Sequence, residues 1–568
     1  MNFSKFLICI LLIISSTLVS AQTYARNGMV VSTSKIASDV GMNVLKKGGN
    51  VIDATVATAF ALAVTYPSAG NIGGGGFIVY MNASGNTTTF DFREKAPLAA
   101  SNDMFLDDNK QLIEAKNHYG RNSTVNHAGL LSVGVPGTVA GLFKAHQKYG
   151  KLPWAELVQP AIDLATNGFE FNWTLYMQAN FFRENSPREF LQHYFDNTNG
   201  EIPEFGATWK QPALATTLTA IRDKGHDGFY SGKVAKEIAK YMKSNGGLIT
   251  TKDLAKYEAI ERKSVSSTYK DFTIHSMPPP SSGGITLINM LNLIEQAPMD
   301  SIAFNSADYV HLVAEVMRRG FADRAEHLGD PDFNPEMPVD KLISKAHAAK
   351  RFAGIDMTKA SPSDSSKFGA LYDGESTTHF SVMDKDGNAV SMTYTLEHGY
   401  GSGMGSSELG FLFNNEMGDF NPVPGLTTNT GKIGTAPNLV APEKRMLSSM
   451  TPTIISKDGR PVLVIGSPGG RTIINTVFQT ILAYIAYDMR VDLAIEALKI
   501  HHQWLPDRIL YEKHLLSPDT RNILEERGHQ LHPVGFLGRL MGIQYDWENH
   551  ILIGAADNSS PNGGASGY

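Results

Sequence analysis

Apolar residues recur at helical spacing through most of the first half of the chain. Residues 37–47 and 52–64 form two such stretches, and a pair of glycines between them is a helix stop. Two runs with a strand-like pattern, 77–81 and 87–92, flank a short polar turn and predict a β-hairpin. Further helices are predicted over 138–149, 154–167, 214–224, 233–245, 285–295 and 306–326.

The pattern changes after residues 355–376, which are rich in serine and polar residues and predict a flexible linker. Beyond it, residues 377–383 and 388–396 alternate in polarity on either side of 384–387, a hairpin turn signal. A strand at 462–465 and a helix at 472–485 follow. The pattern therefore predicts helices and strands in one mixed chain, with its β-rich part after the linker.

Composition narrows the class of protein. The chain has 568 residues, of which 42% are hydrophobic and 19% charged, enough for a sizeable core and unlike a disordered protein. The formal net charge is −6 and no long basic run occurs. A nucleic-acid partner is therefore not expected.

The first 21 residues have the pattern of a secretory signal peptide. Lys5 precedes an apolar stretch over 6–18, and small residues lead to Ala21. The stretch is shorter than the roughly 20 residues that a membrane-spanning helix needs. No second span is predicted, so we expect a secreted or periplasmic protein. Removal of the segment also removes Cys9, the one cysteine, which excludes thiol catalysis and disulfides in the mature chain.

The hairpin after the linker brings two hydroxyl groups together. A two-residue turn pairs Thr377 with about Leu396, and a four-residue loop pairs it with about Tyr394. Thr395 is close to Thr377 in either register. Taken alone, the pair also fits two ordinary strand threonines.

A second cluster has the chemistry to hold an amino acid. Glu416 and Asp419 could bind an ammonium group, and Ser448 and Ser449 a carboxylate. A solvated loop has the same composition.

Two further motifs have competing interpretations. Gly469 and Gly470 follow a strand and open a helix, so their N–H groups could form an anion nest or oxyanion hole; a plain tight turn is the alternative. His501 and His502 are adjacent and point to different sides, which favours a structural role over a metal site.

Together these segments resemble the γ-glutamyltransferase (γ-glutamyltranspeptidase) family over nearly the whole mature chain. The resemblance implies an N-terminal nucleophile hydrolase, an α/β (α+β) protein with a four-layer αββα core. The runs that carry it are 91–97, 134–137, 277–284, 328–333, 377–381, 384–390, 414–417, 445–450, 466–470 and 501–507.

The resemblance implies that the precursor cuts itself between Ser376 and Thr377. After the signal peptide, 1–21, a large chain of 22–376 and a small chain of 377–568 would then form one intertwined unit. This implication favours a catalytic role for the Thr377–Thr395 pair over two ordinary strand threonines, because the linker before Thr377 becomes the processing site.

The implied chemistry needs no cofactor and no metal. The Thr377 hydroxyl would be the nucleophile, and the α-amino group freed by cleavage would be its base, with an ordinary pKa of about 7.7–8.0. Thr395 would orient the nucleophile. The N–H groups of Gly469 and Gly470 would stabilise the oxyanion.

By matching positions, the substrate's α-carboxylate would contact Arg93, Ser448 and Ser449. Its α-amino group would contact Glu416 and Asp419. Two acids facing one ammonium disfavour substrates that lack the amine.

Two features depart from the family pattern. Glu397 replaces an asparagine found in many members, and this third acid either strengthens amine binding or shifts acceptor preference. The expected lid, residues 422–435, has a threonine-rich tip at 427–430 where family lids often have an aromatic residue. That difference predicts a lid that closes the pocket less tightly.

The expected activity is transfer of a γ-glutamyl group from glutathione-like donors to water, an amino acid or a dipeptide. One alternative is a related acylase for glutaryl amides such as glutaryl-cephalosporins, against which the acids argue. Another is an exported binding protein that has lost catalysis, against which the intact set of Thr377, Thr395 and Arg93 argues.

Overall fold

The computed structural model describes residues 22–185, 195, 200–363, 377–426, 428–431 and 434–568. The predicted signal peptide, most of the predicted linker and Ser376 lie outside the described residues. Helix and strand bounds agree with the sequence-based prediction to within about two residues. The segments with a clear hydrophobic period were therefore identified correctly.

The strands, in chain order, are β1 Gln22–Ala25, β2 Gly28–Ser32, β3 Gly75–Met81, β4 Thr87–Phe92, β5 Glu114–Lys116, β6 Asn122–Thr124, β7 Phe169–Glu170, β8 Thr208–Trp209, β9 Ile260–Arg262, β10 Val265–Tyr269, β11 Phe272–Ser276, β12 Thr377–Asp384, β13 Ala389–Thr395, β14 Gly405–Ser406, β15 Phe411–Leu412, β16 Thr453–Lys457, β17 Arg460–Gly466, β18 Ile500–His501, β19 Ile509–Glu512, β20 Leu531–Val534, β21 Met541–Asp546, β22 Ile551–Ala556 and β23 Gly564–Gly567.

The described α-helices are α1 Lys35–Lys46, α2 Val51–Thr65, α3 Thr138–Tyr149, α4 Trp154–Asn167, α5 Trp173–Asn185, α6 Pro212–Lys224, α7 Asp227–Tyr230, α8 Gly232–Ser244, α9 Thr251–Ala255, α10 Gly283–Ile294, α11 Ala307–His327, α12 Val339–Leu342, α13 Lys345–Phe352, α14 Thr472–Ala486, α15 Val491–Glu496 and α16 Pro518–Glu526. Among the described helices, none is long and apolar enough to cross a membrane.

Two antiparallel sheets of seven strands form the centre of the molecule. The strand order in the first is β23-β2-β12-β13-β3-β4-β9, and in the second β1-β22-β21-β17-β16-β11-β10. We call them the nucleophile sheet and the second sheet. Each combines strands from before residue 364 with strands from after residue 376, so the two predicted chains are interleaved in both.

Alternating side chains of the nucleophile sheet enter different cores. Val30, Val382 and Val390 pack in the core that contains α1 to α4. Val31 and Met383 pack instead in the core that contains the second sheet. Because successive side chains on a strand point to opposite faces, both faces of this sheet are buried, and β12 and β13 are almost continuously buried.

Helices cover the outer face of each sheet. Helix α2 is entirely buried beneath the nucleophile sheet, and a capping box between Asn50 and Asp53 starts it. Helices α10, α11 and α14 share the other core with the second sheet. The order helix, sheet, sheet, helix is the predicted four-layer αββα sandwich.

A tight turn sets the register of the β12–β13 hairpin. The Asp384 carboxylate accepts hydrogen bonds from the N–H groups of Asp386 and Asn388, at 3.0 and 2.9 Å, and Gly387 has φ +88°. The register pairs Thr377 directly with Thr395, between the two registers that the sequence allowed. The predicted meeting of these threonines is confirmed.

Candidate active site

Thr377 and Thr395 lie side by side at the end of the central hairpin. The Thr377 hydroxyl donates to Thr395 Oγ1 across 3.4 Å, and the N–H of Glu397 donates to the same oxygen across 2.7 Å. Both threonines are buried and both line one pocket. Thr395 therefore restrains the Thr377 hydroxyl from the neighbouring strand.

The neighbouring hydroxyl of Thr378 points to the other face of the sheet. It exchanges a 2.7 Å hydrogen bond with the Thr33 hydroxyl. Strand alternation therefore presents Thr377 to the pocket and excludes Thr378 from it. The predicted cleavage partner, Ser376, lies outside the described residues.

His379, two residues along the same face, is not suited to act as a base. Burial lowers the pKa of His379 to about 3, so the ring is neutral at working pH. It hydrogen-bonds Thr393 and Ser381 between the sheets, at 2.8 and 3.1 Å. We assign it a structural role.

The glycine turn between β17 and α14 lies beside the nucleophile. Gly469 and Gly470 have φ +134° and +52°, values that favour glycine. The Gly469 carbonyl accepts from the N–H and hydroxyl of Thr472, at 3.0 and 2.7 Å. Gly470 lines the pocket, whereas Gly469, its neighbour in the sequence, is not one of the lining residues.

The pocket is lined by a buried cluster of ions. Arg93 donates to Glu416 and Asp419, and also to the carbonyls of Met446 and Leu447 at 3.2 and 3.3 Å. Although burial opposes its charge, the carboxylates of Glu416 and Asp419 raise the pKa of Arg93. The three residues predicted to bind the two ends of the substrate therefore bind one another when the pocket contains only protein.

Glu94 is a buried acid that sequence reasoning did not select. It lies 3.7 Å from Arg93 Nη1, measured from its Oε2. Burial raises the pKa of Glu94 to about 7 against the opposing effect of Arg93, and burial also raises the pKa of Glu416 well above its ordinary value. Three acids, Glu94, Glu416 and Asp419, thus lie around Arg93.

The pocket also contains hydroxyl groups and a second arginine. Ser448 Oγ accepts from the N–H of Met450 at 3.1 Å. Ser449 Oγ accepts from Arg324 Nη2 at 3.0 Å, and Arg324 Nε donates to Ser282 Oγ at 2.8 Å. Burial, with a smaller contribution from Arg471, lowers the pKa of Arg324 to about 9.

Sequence reasoning did not assign a role to Arg324. The available signal was an arginine in the predicted helix at 306–326, a helix whose position in the core only the fold shows. Because the Arg324 guanidinium donates to Ser449, the Ser449 hydroxyl hydrogen is directed elsewhere. A carboxylate in the pocket is a suitable acceptor for it.

Glu397 adopts a left-handed backbone conformation, φ +76°, that turns it toward two histidines. Its Oε1 lies 3.5 Å from His127 Nδ1, and its Oε2 lies 3.2 Å from His398 Nδ1. One ligand atom from each lies within 4.8 Å of the others, so the three could hold a metal ion. Residue 127 is too distant in sequence for a spacing pattern to reveal the cluster.

The predicted lid closes one side of the pocket at its base. Asn421 Nδ2 donates to the Thr435 carbonyl at 2.7 Å, and the N–H of Gly425 donates to the Gly434 carbonyl at 2.8 Å. Pro422 and Thr435 line the pocket. Residues 427, 432 and 433 of the predicted lid lie outside the described residues.

The pocket is therefore lined by groups of both charges. Glu416 and Asp419 are acids, and Arg93, Arg324 and Arg471 are cations. The nucleophile lies in the same pocket. The lining residues with functional groups are Arg93, His127, Arg324, Thr377, Thr395, Glu397, Glu416, Asp419, Asn421, Thr435, Asn438, Ser448, Ser449 and Arg471.

Comparisons with known proteins agree with this architecture. The family model described as Gamma-glutamyltranspeptidase matches residues 37–568. The chain is 44% identical over 553 residues to the glutathione hydrolase proenzyme of Escherichia coli (strain K12), covering 96% of this chain and 92% of that protein.

Two solved structures extend the comparison. Cephalosporin acylase from Bacillus halodurans superimposes with a TM-score of 0.82 at 25% identity, over 96% of this chain and 97% of the other. Helicobacter pylori gamma-glutamyltranspeptidase is 43% identical with a TM-score of 0.54, over 58% of this chain and 91% of the other. The fold is thus shared with two kinds of enzyme.

Proposed function

The chain belongs to the γ-glutamyltranspeptidase family and is a glutathione-hydrolysing, γ-glutamyl-transferring enzyme, and on that premise we propose that Thr377 carries the γ-glutamyl group as an ester. The observation that supports this most directly is the buried Thr377–Thr395 hydroxyl pair, 3.4 Å apart, in a pocket lined by both acids and cations. Such a pocket is complementary to the zwitterionic end of a γ-glutamyl group.

We propose that cleavage between Ser376 and Thr377 completes the site. The Thr377 hydroxyl attacks the Ser376 carbonyl and the C–N bond breaks, so that the acyl group moves from the Thr377 nitrogen to its oxygen. Water then hydrolyses this ester, leaving a carboxylate on Ser376 and an α-amino group on Thr377. Before the cut that nitrogen is an amide and has no basicity. Afterwards its pKa of about 7.7–8.0 suits a general base near neutral pH.

Acylation then follows in two proton-balanced steps. The α-amino group takes the Thr377 hydroxyl proton as Oγ1 attacks the γ-carbonyl carbon. The N–H groups of Gly469 and Gly470 stabilise the resulting oxyanion, and loss of one such donor typically costs about 3–4 kcal/mol. Collapse breaks the C–N bond, and the ammonium returns the proton to the leaving amine.

Deacylation reverses these steps with a different nucleophile. Water or the amino group of an amino acid or dipeptide loses a proton to the Thr377 α-amino group and attacks the ester. The products are glutamate or a new γ-glutamyl amide, together with the regenerated Thr377 hydroxyl. One active site therefore serves both hydrolysis and transfer.

Donor binding exchanges partners within the ion cluster. The substrate ammonium takes the carboxylates of Glu416 and Asp419, and its α-carboxylate takes Arg93. Each buried charge keeps an opposite charge beside it, which avoids the large cost of an unpaired buried ion. Ser448 and Ser449 donate hydroxyl hydrogens to the same carboxylate, and Glu397 faces the ammonium.

An acylase for glutaryl amides is the second candidate, favoured by the close superposition on cephalosporin acylase. A glutaryl group lacks the α-amino group and would leave the buried acids without a cation. We therefore expect much slower turnover of a glutaryl anilide than of a γ-glutamyl anilide. Equal turnover of the two would favour the acylase.

The central experiment combines N-terminal sequencing with a chromogenic γ-glutamyl anilide assay. We expect two bands, the smaller starting at Thr377, and faster anilide release when a dipeptide acceptor is added. Active protein that runs as a single full-length band would refute the processing step. Processed protein with no turnover would support the inactive binding protein instead.

We also propose export directed by residues 1–21. In a cell with an outer envelope, the large chain should be recovered outside the cytoplasm and begin at Gln22. A large chain that retains Met1 would contradict this proposal.

A further inference from the structure

The cluster of Glu397, His127 and His398 has chemistry that ammonium binding does not explain. Its two imidazoles face different oxygens of one carboxylate, at 3.5 and 3.2 Å. The two rings stack at a centroid distance of 5.2 Å. His127 and Glu397 also line the pocket that contains Thr377.

Asn415 determines which proton His398 carries. The Asn415 Oδ1 accepts from the N–H of His398 at 3.0 Å, and its Nδ2 donates to the His127 carbonyl at 3.0 Å. These two backbone groups fix the orientation of the amide. The contact of 2.7 Å from Asn415 Nδ2 to His398 Nδ1 must then be a donation to the ring, so Nδ1 has a lone pair and no hydrogen.

The same nitrogen, which accepts from Asn415, also lies 3.2 Å from Glu397 Oε2. Two imidazole nitrogens and one carboxylate oxygen are a donor set that binds Zn²⁺. One ligand atom from each of the three residues lies within 4.8 Å of the others, and two ligands on one tetrahedral zinc are about 3.4 Å apart.

We propose that Glu397, His127 and His398 form an inhibitory Zn²⁺ site that overlaps the ammonium subsite. The metal takes His127 Nδ1, a Glu397 oxygen and His398 Nδ1, with water as a fourth ligand. It replaces the Asn415 hydrogen bond at Nδ1, while Asn415 keeps both backbone bonds. The competition with donor rests on the proposed function, whereas metal binding does not.

Overlap predicts competitive inhibition. Zinc should raise the apparent KM for the donor and leave kcat unchanged, because saturating donor displaces the metal. Glutathione is unsuitable for the assay because its thiol binds zinc itself. A thiol-free γ-glutamyl anilide avoids this complication.

The test uses processed enzyme, Zn²⁺ alone as the probe and three variants. Glu397→Gln and His398→Gln each remove a ligand and should weaken both inhibition and calorimetric Zn²⁺ affinity at least about tenfold. His532→Gln, at an exposed position in β20, is the matched control and should bind and be inhibited as the unmodified enzyme does. Co²⁺ should give a visible absorption band that the two ligand variants lose.

Several results would overturn the proposal. They are unchanged zinc affinity in both ligand variants, loss of affinity in the His532 control, or inhibition that lowers kcat without raising KM. Calorimetry and the Co²⁺ band do not need turnover. These two measurements therefore test zinc binding at the cluster even if the protein cleaves no γ-glutamyl amide.

Discussion

At the scale of single residues, the pocket separates three neighbouring candidates for the nucleophile. Only the Thr377 side chain of the pair Thr377 and Thr378 enters it, because Thr378 is turned away toward Thr33. His379 lies on the correct face but is a buried neutral ring. Strand alternation therefore leaves one hydroxyl of this pair, that of Thr377, in the pocket.

The first prediction is that Thr377→Ala blocks both self-cleavage and turnover. The substitution removes the hydroxyl that attacks in each reaction while keeping the strand. Denaturing gel electrophoresis should show a full-length chain, and the γ-glutamyl anilide assay should show no release. Cleavage that persists in the variant would point to Ser376 or Thr378.

The second prediction concerns Arg324, whose donation to Ser449 directs a hydroxyl toward the substrate carboxylate. Arg324→Gln should raise the KM for a γ-glutamyl anilide about tenfold, since a hydrogen bond to a charged group contributes about 1.5–3 kcal/mol. The internal control is a γ-aminobutyryl anilide, which lacks the α-carboxylate. An equal KM change for both donors would show a general structural defect instead.

The third prediction follows from the pKa of Glu94, raised from 4.5 to about 7 by burial. Between these values the unfolded chain has lost the Glu94 proton and the folded chain keeps it, so stability falls as pH rises through this range. Glu94→Gln removes the effect. The free energy of unfolding of the variant minus that of the parent enzyme should therefore increase by about 1–3 kcal/mol from pH 4.5 to pH 8.

Thermal unfolding of both proteins at the two pH values measures this difference. The comparison between the two pH values cancels any effect of replacing Glu94 beside Arg93 that does not depend on pH. A difference that is the same at both pH values would contradict the assignment.

At the scale of elements, two turns position the chemistry. The turn that begins β13 sets the register of the threonines, and the turn that begins α14 contains Gly469 and Gly470, the proposed oxyanion donors. Both turns use glycines with positive φ, namely Gly387 at +88° and Gly469 at +134°.

The fourth prediction is that Gly469→Ala lowers kcat by about a hundredfold, because a shifted N–H no longer meets the oxyanion. Its added Cβ would approach Thr472 Oγ1 to 2.5 Å. The control, Gly85→Ala in the turn between β3 and β4, also has a positive φ, would place a Cβ 2.6 Å from the Gly459 carbonyl oxygen and should cost stability alone. Similar kcat losses in both variants would argue against the oxyanion role.

Sequence patterns predicted the elements better than the electrostatics of the site. The period of apolar residues identified the long helices and the central hairpin. The resemblance supplied many of the residues that line the pocket, but not His127, Arg324 or Arg471. The resemblance could not show that Arg93 pairs with Glu416 and Asp419, nor that Arg324 donates to Ser449. These contacts join residues more than 100 positions apart, as Arg324 and Ser449 are.

At the scale of the whole molecule, the two predicted chains share both sheets. Strand β12 lies between β2 and β13, and β13 pairs in turn with β3. In the second sheet, β11 pairs with β16 and β1 with β22. Separating residues before 377 from those after would expose strand edges and both cores.

The fifth prediction is that the cleaved chains stay together without a covalent link. Size-exclusion chromatography at neutral pH should give one peak containing both chains in equal amounts, and only denaturant should separate them. Free small chain under native conditions would show that the interleaved sheets do not hold the unit.

The interleaving also orders events in time. Thr377 is assembled with Arg93, Gly470 and Arg324, which come from widely separated parts of the chain and meet only after both sheets have formed. On the proposed mechanism, a newly synthesised molecule cannot cut itself until it has folded. The fraction of cut chain in a cell extract then measures the fraction of molecules that reached the native state. The cut persists after denaturation, so the measurement can be made on denatured protein.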